Sequence, residues 1–304
     1  MSGLLDFFKN RKRTWQLYLL ITPVLIYYII FHYAPMYGIQ IAFRDFMPSR
    51  GFVGSEWVGL KHFQRFFSSY YFKRILLNTI MINLYSLLVG FPVPILFALL
   101  LNEIEHKIYE KLVQNVTYIP HFLSAVVVVS ILQLMLNPNM GVVNMALEAV
   151  GLSKKDFLTD APLFKHIYVW SGIWQNMGWN SIIYIAALSG VNPSLYEAAT
   201  IDGASRLQKM RYISIPGIMP TIVILFILRC GAIMNIGFEK ILLMQNDLNM
   251  ESSDVISTFV YRSGILGADY SFSAAVGLFN SVCNFILLII TNSIVRRLGE
   301  VSLW

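Results

Sequence analysis

Long apolar runs separated by short polar stretches dominate the chain. Residues 17–43, 75–101, 116–136, 166–188, 220–244 and 272–295 are each long enough, at about 1.5 Å of rise per residue, to cross a hydrocarbon core of about 30 Å. They predict an all-α integral membrane protein of six transmembrane helices in a single domain, 1–304. The first run follows Lys9, Arg11, Lys12 and Arg13 and is too long for a signal-peptide core, so it reads as a helix whose basic end is cytoplasmic. In the segment Arg44 to Arg74, Leu60, Phe63, Phe66, Phe67, Tyr70 and Tyr71 recur every three to four residues between basic side chains. That spacing predicts a helix lying in the membrane interface as an anchor. The second run contains Pro92 and Pro94, and a polar hairpin over 102–115 follows it. Turn signals at N-P-N-M-G and D-A-P mark a long loop over 137–165.

Composition agrees with this pattern. The 304 residues are 56% hydrophobic and 13% charged, where a soluble chain carries about a quarter charged residues. The net charge of +6 sits in loops and termini, which points to anionic lipid headgroups and not to nucleic acid. Lys and Arg divide evenly between the two predicted sides, so the charge count does not set sidedness, and of the charges only the basic cluster ahead of the first run favours a cytoplasmic start. Cys230 and Cys283 lie inside apolar runs and are expected to be lone buried thiols. No phosphate-binding loop, no Ser/His/Asp or Cys/His grouping and no zinc spacing is present, and the five histidines are scattered. A membrane enzyme would need such a cluster. An ion-coupled secondary carbohydrate transporter, the alternative reading, would need a carboxylate at membrane depth, and only Glu239 comes near.

The polar interruption over 192–217 organises the rest. Asn192 suits a helix cap and Pro193 the first helical position; Leu195, Ala198, Ala199 and Asp202 follow at helical spacing. Gly203 can take the left-handed conformation that ends a helix, and a second helix over about 205–212 leads to Pro216 and Pro220. Glu197-Ala198-Ala199, then Gly203, Ile213, Ile215 and Pro216, resembles the E-A-A-x3-G-x9-I-x-L-P loop of ABC importer permeases, departing only at Ile215, where the pattern has Leu. W-V-G-L-K-H-F, Asn78-Thr79, Y-I-P-H-F-L-S, G-F-E-K-I-L-L-M-Q-N, A-V-G-L-F-N-S and the tail R-R-L-G-E-V-S-L-W extend the likeness over nearly the whole chain, to the LplB-type, MalF-like carbohydrate branch.

The resemblance implies a type I ABC importer permease fold with a cytoplasmic coupling loop, both termini cytoplasmic, in a bacterial plasma membrane. It implies a heterodimer with a second permease, two ATPase subunits that carry ATP and Mg, and an extracellular or periplasmic sugar-binding protein; this chain would bind no cofactor or metal. Ala198 and Ala199 would let the loop approach the ATPase closely, Glu197 would offer it a charge, Asp202 and Arg206 would flank the contact, and Gly203 would set the turn. The cargo would be a sugar or oligosaccharide moved by alternating access.

Polar side chains at membrane depth are costly and face a cavity or another helix. By that criterion Trp174, Gln175, Asn176, Trp179 and Asn180 in the fourth run, Arg229 and Asn235 in the fifth, and Asn280 and Asn284 in the sixth are the substrate-path candidates. Aromatic rings stack on sugar C–H faces while amides read hydroxyls; the competing role is interhelical hydrogen bonding. Arg229 has two readings left open, a structural lock to a carboxylate and a contact to an acidic oligosaccharide.

Overall fold

The computed structural model describes residues 2–297, with side chains from residue 15 onward. The tail over 298–304 and the side chains of the basic cluster Lys9 to Arg13 lie outside the described residues. The chain is almost wholly helical; its strands, Arg44–Asp45 and Glu56–Trp57, pair antiparallel. Among the described residues four helices are long and apolar enough to cross a membrane: Trp15–Phe43, Phe72–Asn102, Arg206–Gly231 and Tyr270–Arg297.

Two predicted spans take other forms. Residues 116–136 are not one straight helix, because Lys107–Phe122 and Ala125–Met135 meet at 101°. Pro120 and the extended Leu123 and Ser124 break the helix, and the Ser124 side chain caps the new one by accepting from the Val127 amide. The fifth run does not continue to 244. Its helix ends at Gly231, and Phe238–Met244 is a separate short helix. Its other end begins earlier than expected, since the second elbow helix runs directly into it. The run over 166–188 is the 29-residue helix Ala161–Ser189, long enough to span but too polar to rank with the four apolar ones. The interface helix is shorter than its aromatic pattern suggests, Lys61–Phe67, with His62 and Phe66 buried and Phe67 exposed. Both cysteines are free and half buried.

Prolines account for three of the π turns; a further one, Arg262–Leu266, has no proline after it. The π turns Ile29–Tyr33, Ser86–Gly90 and Met210–Ser214 each end two residues before a proline: Pro35, Pro92 and Pro216. A proline has no N–H for the carbonyl four residues back, so the helix widens locally and continues.

Two compact units emerge. One contains the chain up to Phe67 together with Ser263–Leu278. There Phe66 packs edge-on against Phe272, and Arg65 lies over the Phe272 ring while pairing with Asp269 at 2.6 Å. Asp45, in the strand pair, is held by Lys61 at 2.6 Å and His62 at 3.0 Å, and the Lys61 hydrogen bond keeps its carboxyl below the ordinary range.

The other unit contains Ser68–Arg262 and the chain from Phe279 onward. Its hub is helix Ala161–Ser189, packed against Pro92–Asn102, Lys107–Tyr118, Ile215–Gly231 and Met250–Ser253. Asp160 caps the hub helix, accepting from the Leu163 amide, and Lys155 at 2.7 Å holds that carboxyl below its usual range. Gly178 is required where the hub crosses Lys107–Tyr118, because a Cβ there would collide with the Thr117 carbonyl. One apolar cluster (Phe164, Val169, Ile173 with Ile82, Val129 and Ile241) grips the first half of the hub; another (Tyr184, Leu188 with Ala98, Leu99 and Ile218) grips its end.

Irregular backbone after the fifth helix is held by buried polar side chains. Asp254 is fully buried, takes both oxygens to Arg262 at 2.8 and 2.9 Å, and pairs with Arg74 at 3.0 Å. Asn78 donates to the carbonyls of Glu251 and Asp254, and Thr79 accepts from the Ile256 amide. Truncating one member of a buried ion pair strands the other. Asp254→Ala, which leaves two guanidinium groups without their carboxylate, is therefore expected to cost ~3–5 kcal/mol. Thermal unfolding of the detergent-solubilised protein, with a markedly lower midpoint than wild type, checks this.

Candidate functional site

Between the two apolar clusters the hub helix borders a cavity of about 760 Å³. Ser86, Gly90, Phe91 and Pro94 line it from the π turn and the helix after it, Leu225 and Arg229 from the fifth helix, and Gly237 and Lys240 from the short helix beyond. The hub contributes Tyr168, Gly172, Gln175, Asn176, Trp179, Asn180 and Tyr184, among others.

Of the residues expected to face a substrate path, Gln175, Asn176, Trp179, Asn180 and Arg229 line this cavity; Trp174, Asn235, Asn280 and Asn284 do not. Trp174 is half exposed on the opposite side of the hub helix, 200° around from Gly172 at about 100° per residue. Asn235 Oδ1 accepts from Asn280 Nδ2 at 3.1 Å and Asn284 Nδ2 at 3.0 Å, while Asn284 Oδ1 accepts from the Met234 amide at 2.9 Å. These three amides tie the unwound turn after Gly231 to the last helix.

The cavity amides divide as well. Gln175 donates to the Leu123 carbonyl at 3.0 Å, inside the 101° break. Asn176 donates to the Gly172 carbonyl, and its Oδ1 sits 2.9 Å from His121 Nδ1, which makes that ring nitrogen the donor. The His121 ring stacks on Trp179 at 4.5 Å with 4° between planes. Gln175, Asn176 and Trp179 thus pin the broken span to the hub as well as lining the cavity. The Asn180 side chain has no hydrogen-bond partner among the described residues, so it is free to meet a ligand.

In the sequence Lys240 counts with Arg262 as a charge on the predicted outer side and is no cavity candidate. It stands in the apolar stretch 220–244, as Arg229 does, but near the end of that predicted span, where a lysine is unremarked. The structure turns it inward: Nζ donates to the Tyr168 carbonyl at 3.3 Å and lies 5.0 Å from the Tyr168 ring centroid. Arg229 reaches Ser86 Oγ at 3.4 Å. Neither cation has a carboxylate within 4 Å among the described residues, and no Asp or Glu lines the cavity. No group of three or more His, Cys, Asp or Glu among the described residues is placed to hold a metal.

The hub helix leads straight into the elbow. Helix Pro193–Ile201 is capped by Asn192, whose side chain accepts from the Ser194 amide; Gly203 takes φ +76°; and Ser205 and Gln208 form a capping box for Arg206–Lys209. Glu197, Ala198, Asp202 and Gly203 are exposed, as is Ile201 at 87%, an unusual place for an isoleucine. Arg206 pairs with Glu105 of the preceding hairpin at 2.7 Å, and Tyr196 is hydrogen-bonded to the buried Ser214 at 2.9 Å. Ile213 is half buried and Pro216 exposed, both within the continuous helix Arg206–Gly231.

Residues 72–300 match the family described as the binding-protein-dependent transport system inner membrane component. The polygalacturonan/rhamnogalacturonan transport system permease protein YteP of Bacillus subtilis is 43% identical over 95% of this chain and 90% of its own length. Protein LplB of the same organism is 43% identical over 96% and 92%. A crystal structure of a bacterial alginate ABC transporter, in complex with an alginate pentasaccharide-bound periplasmic protein, contains a chain of 41% identity. It superposes with a TM-score of 0.88 over 97% of this chain and 99% of that one.

The division of the amides has a consequence for stability. Asn284→Ala leaves the Met234 amide without its acceptor and is expected to cost ~1–3 kcal/mol. Asn180→Ala breaks no bond and should stay within about 0.5 kcal/mol of wild type. Thermal unfolding of the two variants side by side in one detergent reads the difference.

Proposed function

Because the chain belongs to the binding-protein-dependent transport system inner membrane component family, we propose that it is a carbohydrate permease subunit of an ATP-driven importer whose elbow over 192–217 couples it to an ATPase. One observation carries the coupling role. The same helix, Ala161–Ser189, forms a wall of the cavity and ends at the exposed elbow, whose far side continues without a break into helix Arg206–Gly231, the bearer of Arg229. A displacement of the elbow is therefore carried to two cavity walls by rigid helices.

In this reading the helix Ala161–Ser189 and the bent pair count as crossings, which makes six, with both termini and the elbow in the cytoplasm. Glu197, Ala198, Ala199, Asp202, Gly203 and Arg206 form the ATPase-facing surface, and the exposed Ile201 gives it an apolar contact. A second permease completes the path, two ATPase subunits hold ATP and Mg, and an external binding protein delivers the sugar. ATP-driven closure of the ATPases moves the elbow and opens the cavity outward; hydrolysis resets it. The names of the relatives support a saccharide cargo, and stacking rings beside amides suit one. Ion-coupled secondary transport is disfavoured by the relatives and by a cavity without carboxylates.

The elbow can be tested without knowing the cargo in advance. Gly203→Pro forces a negative φ where the native angle is +76°, and should abolish binding-protein-dependent sugar uptake in whole cells while the membrane content of the protein stays at wild-type level. Full uptake in that variant, or purification of the assembly in mild detergent without an ATPase, would remove the proposal.

A further inference from the structure

Arg229 and Lys240 are the charged side chains lining the cavity, and both are cations. Lys240 is half buried and Arg229 is exposed to the cavity; a cation at membrane depth without a counter-charge is costly, and two of them lining one cavity repel each other. Lys240 makes no ion pair among the described residues; a long hydrogen bond to a helix carbonyl and a ring face are its partners. Arg229 has a hydroxyl at 3.4 Å, at the limit of a hydrogen bond. These contacts leave both positive charges without a counter-charge. An anion entering the cavity would supply one.

We infer that the cavity selects carboxylate-bearing oligosaccharides, and that Lys240, with Arg229, is the residue that determines this selectivity. The inference rests on the importer reading above, which supplies the saccharide; the cations add its charge. Arg229 offers a planar fork that matches a carboxylate, whereas Lys240 is a point charge anchored at Tyr168, so one side fixes orientation and the other supplies attraction. Asn180, with its side chain free, is left to read hydroxyls between them. The mechanism has a directional consequence. A chain of acidic sugar units leaving its binding protein would be drawn inward by a cavity that carries positive charge and no negative charge, and the repulsion between the cations would be relieved on entry.

The test uses the full assembly purified with its ATPases, without the binding protein. Equilibrium binding is measured for tetramers of galacturonate, mannuronate and guluronate, each against its methyl ester, which keeps the backbone and removes the charge. Wild type should prefer at least one acid over its ester, with an affinity that weakens as salt is raised. The acid-to-ester ratio should fall about tenfold in Lys240→Gln, the worth of one charge-assisted hydrogen bond, and persist in Lys240→Arg. An unchanged ratio in Lys240→Gln, equal binding of acid and ester by wild type, or no binding of any acid overturns the inference. So does loss of assembly in Lys240→Gln but not in Lys240→Arg, which would make the lysine a lock to a neighbouring chain's carboxylate. Failure of the importer reading looks different: no ATPase accompanies the wild-type chain at all.

Discussion

The structure depends on keeping a helix with a polar face inside an apolar surround. Helix Ala161–Ser189 carries Gln175, Asn176 and Asn180 in its middle, where lipid would leave each amide unsatisfied at a cost of several kcal/mol. Its neighbours are arranged around that cost. Apolar clusters clamp the two halves, Gly178 brings the Lys107–Tyr118 backbone into close contact, and the bent span presents Leu123 and His121 to the amides. What is left uncovered is the cavity.

Broken backbone recurs wherever a function needs room, and each break is repaired by a side chain. Asn284 serves the turn after Gly231, Asn78 and Thr79 serve the segment around Asp254, and Ser124 caps the helix after the 101° bend. The prolines do related work by another route: a π turn ahead of each of three prolines lets a long helix continue past it. Irregular backbone at membrane depth is tolerable where the freed amides and carbonyls find partners or line a cavity.

On the proposed importer reading the cavity and the elbow form one device. The hub helix ends at Ser189 beside the packed Tyr184 and Leu188 cluster, three residues before the Asn192 cap of the elbow helix, so the elbow is joined to a cavity wall by a short link. The pair Arg206–Glu105 ties the same elbow to the preceding hairpin, but at 68% and 85% side-chain exposure it is screened by water and adds little rigidity.

Apolar run length by itself determined the class of the protein, since nothing but a membrane accommodates so many runs of that length, and local chemistry determined the elbow: Asn192, Gly203 and the Ser205 and Gln208 box act within a few residues of themselves. Tertiary structure decided what depends on which side of a helix meets which neighbour. Asn235, Asn280 and Asn284, for which the sequence left a cavity role and interhelical hydrogen bonding open, are a hydrogen-bonded clasp; Trp174 shares a run with Trp179 but looks the other way; Lys240, in the sequence only a charge on the predicted outer side, lines the cavity. The reason is physical. A polar residue in an apolar run announces that it needs a partner, but the partner lies tens of residues away in the chain, and only the packing of helices says whether it is another side chain or a space left for a ligand.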